Sequence, residues 1–165
     1  MGSRISIKTP EGSFTAVFSE RGLARLTFPN QRGTEECSAR DDSSVSPELR
    51  RWQRMTSQAL QQVLAGKRPK ALPPLDWSGH TAFQQQVWRE LLRLGPGETK
   101  TYAQIAAELG KPLAARATGG ACGANPIPVL VPCHRVLAAN GRLGGFSGGL
   151  DWKRRLLARE GASAK

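Results

Sequence analysis

Residues 101 to 122 read T-Y-A-Q-I-A-A-E-L-G-K-P-L-A-A-R-A-T-G-G-A-C, and the fold of the second half of the chain turns on how they are read. Thr101 followed three residues later by Gln104 is a capping-box pattern ahead of Ile105, Ala106 and Leu109, so a short helix is expected to begin there. Gly110 stands where a C-terminal cap belongs, and Pro112 is placed to start a second helix running through about Cys122. Two short helices joined by Gly110-Lys111 make a helix-turn-helix candidate.

Upstream, Phe83, Val87, Trp88, Leu91 and Leu92 form an apolar stripe at helical spacing that stops at Gly95-Pro96-Gly97. Downstream, Asp151 is placed to cap a last helix, ended by Gly161, in which Trp152, Leu156 and Leu157 face inward. The first half has a different period. Arg4 to Lys8, Ser13 to Ser19 and Gly22 to Phe28 are short β-branched or alternating runs, separated by the turn signals Pro10-Glu11-Gly12 and Glu20-Arg21-Gly22. Asn30 to Ser46 is polar and aperiodic, which predicts a loop. Ser46-Pro47 then supplies an N-cap and a first-turn proline to a helix with Leu49, Trp52, Met55, Ala59 and Val63 on one face until Gly66. Lys67 to Ser78, with Pro69, Pro73 and Pro74, reads as a linker. The expected architecture is α+β. Residues 1–75 are expected to form a small antiparallel sheet plus helix domain, and residues 76–165 a mainly helical, winged-helix-like domain carrying the helix-turn-helix.

At 165 residues, with 39% hydrophobic and 22% charged residues, the composition is that of a globular chain. No apolar run approaches the roughly 20 residues of a membrane span, so no membrane is expected as a partner. Met1-Gly2-Ser3-Arg4-Ile5 lacks the apolar core of a secretory signal, which suggests a cytoplasmic, reducing setting with cysteines kept as thiols. The 24 basic residues against 13 acidic ones give a net charge of +11. Such an excess favours a polyanionic partner, nucleic acid being the commonest, over a merely solvated basic surface. Between Thr99 and Gly149, Glu108 is the only acid beside Lys100, Lys111, Arg116, Arg135 and Arg142, so that stretch is expected to face phosphates.

The nearly uncharged run N-P-I-P-V-L-V-P-C-H-R-V, residues 125 to 136, carries the chemistry. Cys133 within it is a buried small hydrophobe, a metal ligand or a nucleophile. A metal site is not expected, because Cys37, Cys122, Cys133, His80 and His134 include no CxxC or HxxxH pair. A nucleophile needs help to lose its proton, and His134 is the adjacent base. Neighbouring side chains diverge, so a bridging water is the more natural link than direct contact. The histidine then needs an acid to hold its tautomer, and Asp151, Glu160, Glu90, Glu98 and Glu108 are the candidates. Gly141, Gly144, Gly145, Gly148 and Gly149 suit a loop with close backbone approach. They form no G-x-G-x-x-G fingerprint, so no nucleotide cofactor is expected, and no cofactor of another kind.

From about Phe83 to Gly161 the chain resembles the O6-alkylguanine-DNA alkyltransferases. The motifs are F-Q-Q-Q-V-W, T-Y-A-Q-I-A, A-A-R-A-T-G-G-A, N-P-I-P-V-L-V-P-C-H-R-V, G-F-S-G-G-L and L-L-A-R-E-G, in that order. The first 75 residues match only in pattern. The resemblance implies that Cys133 accepts an alkyl group, with His134 drawing its proton through water and Glu160 orienting the histidine. It implies that Tyr102 assists the guanine leaving group and bears on a DNA phosphate, and that Arg116 fills the stack vacated by a flipped nucleotide. Asn125 would bond within the hinge beside the thiol segment. The backbone of Cys133 and Val136 would accept from the guanine amine, and the Ser147 amide would donate to O6. Ala114, Ala115, Ala117, Gly119 and Gly120 would enter the minor groove. Cys122 stands where many relatives carry a bulkier apolar residue, and Phe146 where some have tyrosine. Both departures bear on the size of alkyl group accepted. The implied partner is double-stranded DNA containing O6-alkylguanine, with O4-alkylthymine a second lesion, bound by a monomer. Cys37, alone before residue 122, implies no zinc. A lesion-binding module without transfer, a helix-turn-helix regulator and a Cys-His hydrolase are the competing readings.

Overall fold

The computed structural model describes residues 2–29, 31 and 45–165. Most of the expected loop between Asn30 and Ser46, with Cys37, lies outside the described residues.

Strands β1 (Ser3–Thr9), β2 (Gly12–Phe18) and β3 (Leu23–Thr27) form an antiparallel sheet in that order. Alternation turns Phe14, Ala16 and Phe18 to one face, where they are buried together with Ile7 opposite Phe14. Helix α1 (Pro47–Leu64) starts as expected: the Ser46 hydroxyl accepts from Leu49 N at 3.1 Å and Pro47 opens the first turn. It buries Trp52, Thr56, Ala59, Leu60, Val63 and Leu64.

The proline-rich segment after α1, expected as a linker, docks along β3. Leu23 N donates to Pro74 O and Asp76 N to Leu23 O, each at 2.8 Å, and Trp77 packs on Trp88 with centroids 5.6 Å apart. The chain's own continuation thereby pairs with the start of the β3 edge, and further along it Leu26 N donates to Pro126 O at 2.9 Å. One hydrophobic cluster then runs through both halves, from Phe14 and Leu60 to Trp88, Ile127 and Leu156.

Helix α2 (Ala82–Leu91) begins with a full capping box between Thr81 and Gln84. Strand β4 (Lys100–Thr101) leads directly into α3 (Tyr102–Glu108), whose own box joins Gln104 N to Thr101 Oγ1 at 3.2 Å and Thr101 N to Gln104 Oε1 at 2.7 Å. Gly110, at φ 71°, makes the left-handed exit expected of it. Helix α4 spans Ala115–Gly123, so Pro112 does not start it. Ala114 N donates to Lys111 O at 2.9 Å and closes a turn that takes up Pro112 and Leu113 first.

After α4 the chain forms a single 3-10 turn, Cys133–Arg135, and then β5 (Val136–Leu137). β5 pairs in parallel with β4, Lys100 opposite Val136 and Thr101 opposite Leu137, which sets the thiol segment beside the helix-turn-helix. The last helix, α5 (Leu150–Arg159), is capped by Gly149 at φ 90°, not by Asp151. Such a backbone favours glycine, and Asp151 falls in the first turn, paired with Arg154 at 3.3 Å.

Candidate active site

Asn125 fixes the segment that carries the thiol. Its Oδ1 accepts from Ile127 N at 3.0 Å, while its Nδ2 donates to Val131 O at 2.9 Å and to Cys133 Sγ at 3.2 Å. Pro126, Pro128 and Pro132 restrict the backbone between these anchors. Val129, fully buried, is held at φ 75°, a conformation a β-branched residue adopts only when its surroundings impose it. The segment is thus wound tightly behind its cysteine.

Cys133 is 4% exposed. Burial pushes its pKa up to about 11, against the smaller opposing effects of the Asn125 hydrogen bond and the Lys153 charge. The resting group is therefore a thiol, and it needs a base. His134 lies next to it with no exposed surface, and Nε2 stands 3.0 Å from Glu160 Oε1. Burial would raise Glu160, but hydrogen bonds from His134 and Arg135 outweigh it and hold the carboxyl at about 2. An ionised carboxylate only accepts, so Nε2 carries the proton and Nδ1 keeps the lone pair. Nδ1 is buried without a hydrogen-bond partner. Burial also lowers the His134 pKa, so the imidazole is neutral near pH ~7 and able to take a proton.

Of the acids proposed from sequence, Glu160 is the one that meets His134. The chain brings it there from the end of α5, and Gly97 N of the Gly95-Pro96-Gly97 turn donates to its Oε2 at 3.3 Å. Two basic residues were missed. Arg135, expected to face phosphates, is 3% exposed and grips Glu160 with two bonds, Nε to Oε2 at 3.0 Å and Nη2 to Oε1 at 2.7 Å, while Nη1 donates to Leu94 O. Lys153, not among the expected site residues, is wholly buried. Its ammonium donates to Val136 O at 2.8 Å, to Gly145 O at 3.2 Å and to Leu143 O. A pattern signal existed, since Lys153 sits between Trp152 and Leu156 on the inward face of α5.

The outer wall is the helix-turn-helix. Tyr102 opens α3 and is half-buried; burial raises its pKa, with smaller contributions from Cys122 and Cys133, whose thiols lie near enough to act on it. Its hydroxyl lies where a Cβ on Gly144 would stand 2.7 Å away, so only glycine, at φ 67°, fits there. Tyr102, Ala103, Ala115, Arg116, Gly119 and Ala139 border a cleft of about 420 Å³. Arg116 and Ala117 are exposed on α4 and Cys122 is buried at its far end. Phe146 stacks edge-on against Phe28 at 5.6 Å and against His134 at 6.5 Å. Ser147 is exposed, and its carbonyl accepts from Gln31 at 2.8 Å. Of the basic residues expected to face phosphates, Lys100 is tied to Glu108 at 2.6 Å, and Arg116 and Arg142 are exposed. Among the described residues no group of His, Cys, Asp and Glu could hold a metal, and no helix is long and apolar enough to cross a membrane.

A helix-turn-helix whose outer cleft backs onto a buried thiol, with a histidine and a clamped carboxylate behind it, defines a class built around one cysteine. Comparison with known proteins narrows it. Residues 82–162 match the family model described as 6-O-methylguanine DNA methyltransferase, DNA binding domain. The inducible methylated-DNA--protein-cysteine methyltransferase of Bacillus subtilis is 46% identical over 137 residues, 83% of this chain and 69% of its own. That of Methanosarcina acetivorans is 37% identical over 94% of this chain and 96% of its own. The crystal structure of Mycobacterium tuberculosis OGT in complex with DNA superposes with a TM-score of 0.75 at 37% identity, covering 94% of this chain and 90% of that one. The chain belongs to the 6-O-methylguanine DNA methyltransferase family.

Proposed function

We propose that this chain repairs DNA by direct reversal, moving the alkyl group of O6-alkylguanine in duplex DNA onto Cys133 in one irreversible turnover. The observation that carries the reading is the joining of Asn125, Cys133, His134, Arg135 and Glu160 into one buried cluster behind the helix-turn-helix. His134 Nδ1 takes the thiol proton through a bridging water, and Glu160 stabilises the imidazolium that results. The sulfur attacks the alkyl carbon: an S–C bond forms, the C–O6 bond breaks, and its electron pair leaves on the guanine. Tyr102 gives that leaving group a proton or a hydrogen bond. The thioether formed is stable, so one molecule serves one lesion.

A base inside a duplex is out of reach of a buried thiol, so the nucleotide is extruded at a cost of a few kcal/mol. In this reading α4 enters the minor groove through Ala114, Ala115, Ala117, Gly119 and Gly120, and Arg116 fills the gap left in the stack. The extruded base meets the carbonyls of Cys133 and Val136 through its amine and the Ser147 amide through O6, with Cys122 and Phe146 bounding the alkyl group. O4-alkylthymine is a second substrate. Residues 1–75 act as a supporting domain and residues 76–165 as the working one, in a monomer needing no cofactor.

Mixing the protein with a duplex containing O6-methylguanine and weighing it intact tests the reading. A single methyl adduct on the peptide carrying Cys133, absent in Cys133→Ala, is expected. Tight binding with no mass change would identify a lesion-binding module instead.

A further inference from the structure

Lys153 is a lysine with no exposed surface, and neither the proton relay nor a phosphate contact accounts for it. Its three N–H donors meet three carbonyls, those of Val136, Leu143 and Gly145. Among the described residues no carboxylate pairs with it in the ion pairs found. A cation withdrawn from water is tolerated only when its donors are satisfied in this way. The three carbonyls belong to two separate segments. Val136 follows directly on the turn that carries Cys133, whereas Leu143 and Gly145 flank Gly144, on which the Tyr102 hydroxyl rests.

We propose that Lys153 is a positioning residue for base recognition: by joining the Val136 carbonyl to the loop from Leu143 to Gly145, it sets the two sides between which an extruded guanine is held. This rests on the alkyl-transfer reading above. A carbonyl oxygen has two lone pairs, and Lys153 occupies one on Val136, leaving the other for the exocyclic amine of the base. Its contribution is orientation, because a donor already on the oxygen draws electron density away from it. The same arrangement recurs one turn earlier, where Val136 N donates to Cys133 O and fixes the other carbonyl expected to meet that amine. Recognition of the amine is thus built on backbone oxygens whose directions are set from behind, one by the 3-10 turn and one by a buried cation.

The test compares transfer from O6-methylguanine with transfer from O6-methylhypoxanthine, which lacks the 2-amino group, in matched duplexes. The wild-type protein is expected to favour the guanine lesion by about tenfold, the worth of one well-placed hydrogen bond in a dry site. Lys153→Met is expected to slow both reactions and to lower their ratio, since only the Cys133 carbonyl then keeps its fixed direction, while the salt dependence of binding to undamaged DNA stays as in wild type. A variant that is slower but keeps the wild-type ratio overturns the proposal, since loss of structure alone does not erase one preference selectively. Transfer by the wild type from neither lesion sinks the alkyl-transfer reading itself. A second measurement avoids substituting Lys153. In Cys133→Ser protein with 15N-labelled lysine, the Lys153 Nζ resonance is expected to shift on adding free O6-methylguanine and not on adding O6-methylhypoxanthine; equal responses to the two bases overturn the proposal.

Discussion

The molecule has two interiors with different chemistry. Beneath the sheet, Phe14, Phe28 and Trp152 meet at centroid distances of 5.1 to 5.5 Å in a setting of aromatic and aliphatic carbon. Around Cys133, in contrast, Asn125, His134, Arg135 and Lys153 are each at most 5% exposed, and each is held by named hydrogen-bond partners. An apolar interior loses stability gradually as its volume is trimmed. A polar one fails sharply when a single partner is removed, because the group left behind stays buried and unpaired. Phe146 lies between them, edge-on to Phe28 on one side and to His134 on the other.

The comparison can be broken in several ways, beginning with the largest effect. Cys133→Ala should abolish transfer while leaving the melting temperature near that of wild type, as read by intact mass and calorimetry. Glu160→Ala should destabilise the fold by about 3–5 kcal/mol, because Arg135 and His134 lose their common partner; a denaturant midpoint close to wild type would show that the polar interior tolerates vacancies after all. Phe28→Ala should lower stability by a similar ~3–5 kcal/mol through loss of packing. It should nevertheless leave the transfer rate of the folded fraction nearly intact, and that difference in activity is what separates the two interiors.

The pH dependence sharpens the contrast further. The His134 pKa is depressed in the fold, so transfer should hold steady as pH falls through the ordinary imidazole range near ~6.5 and decline only below it. Stability follows the same sign. The folded pKa values of His134 and Glu160 both lie below the unfolded ones, so their contribution is complete above the unfolded values and is lost as pH drops, for Glu160 between about 4.3 and about 2. A rate profile with its midpoint at or above the ordinary imidazole value would contradict a buried neutral base. The smallest effect belongs to the seam between the halves. Glu11 pairs with Arg155 and Arg159 in partial solvent, and Glu11→Gln should cost under about 1 kcal/mol by chemical denaturation.

Much of this was legible in the sequence, because local rules act on local residues. The Thr101–Gln104 box, the Gly110 exit and the Ser46-Pro47 start all appear where spacing predicts them, since each needs only a few neighbouring atoms. The two misplaced helix starts share a cause. Pro112 and Asp151 are good first-turn residues, but a turn closed by Ala114 N and a glycine backbone at position 149 decide where the helices begin. At the site, Cys133 and His134 stand out by themselves, while Glu160 is one of five candidate acids and is chosen among them only by resemblance, because its pairing depends on the packing of α5. Arg135 and Lys153 were hidden because a charged side chain is expected to be solvated, and only the three-dimensional arrangement supplies the carboxylate and carbonyls that let each be buried.

The burial of Cys133 also affects how long the protein keeps its capacity to react. A sulfur that can react only once must reach its lesion unspent. Burial raises the Cys133 pKa and keeps the thiol protonated near neutral pH, whereas the thiolate is the form that reacts with peroxides and stray electrophiles. Folding therefore keeps the protein's one acceptor sulfur as a thiol, with the base that can activate it in the neighbouring residue.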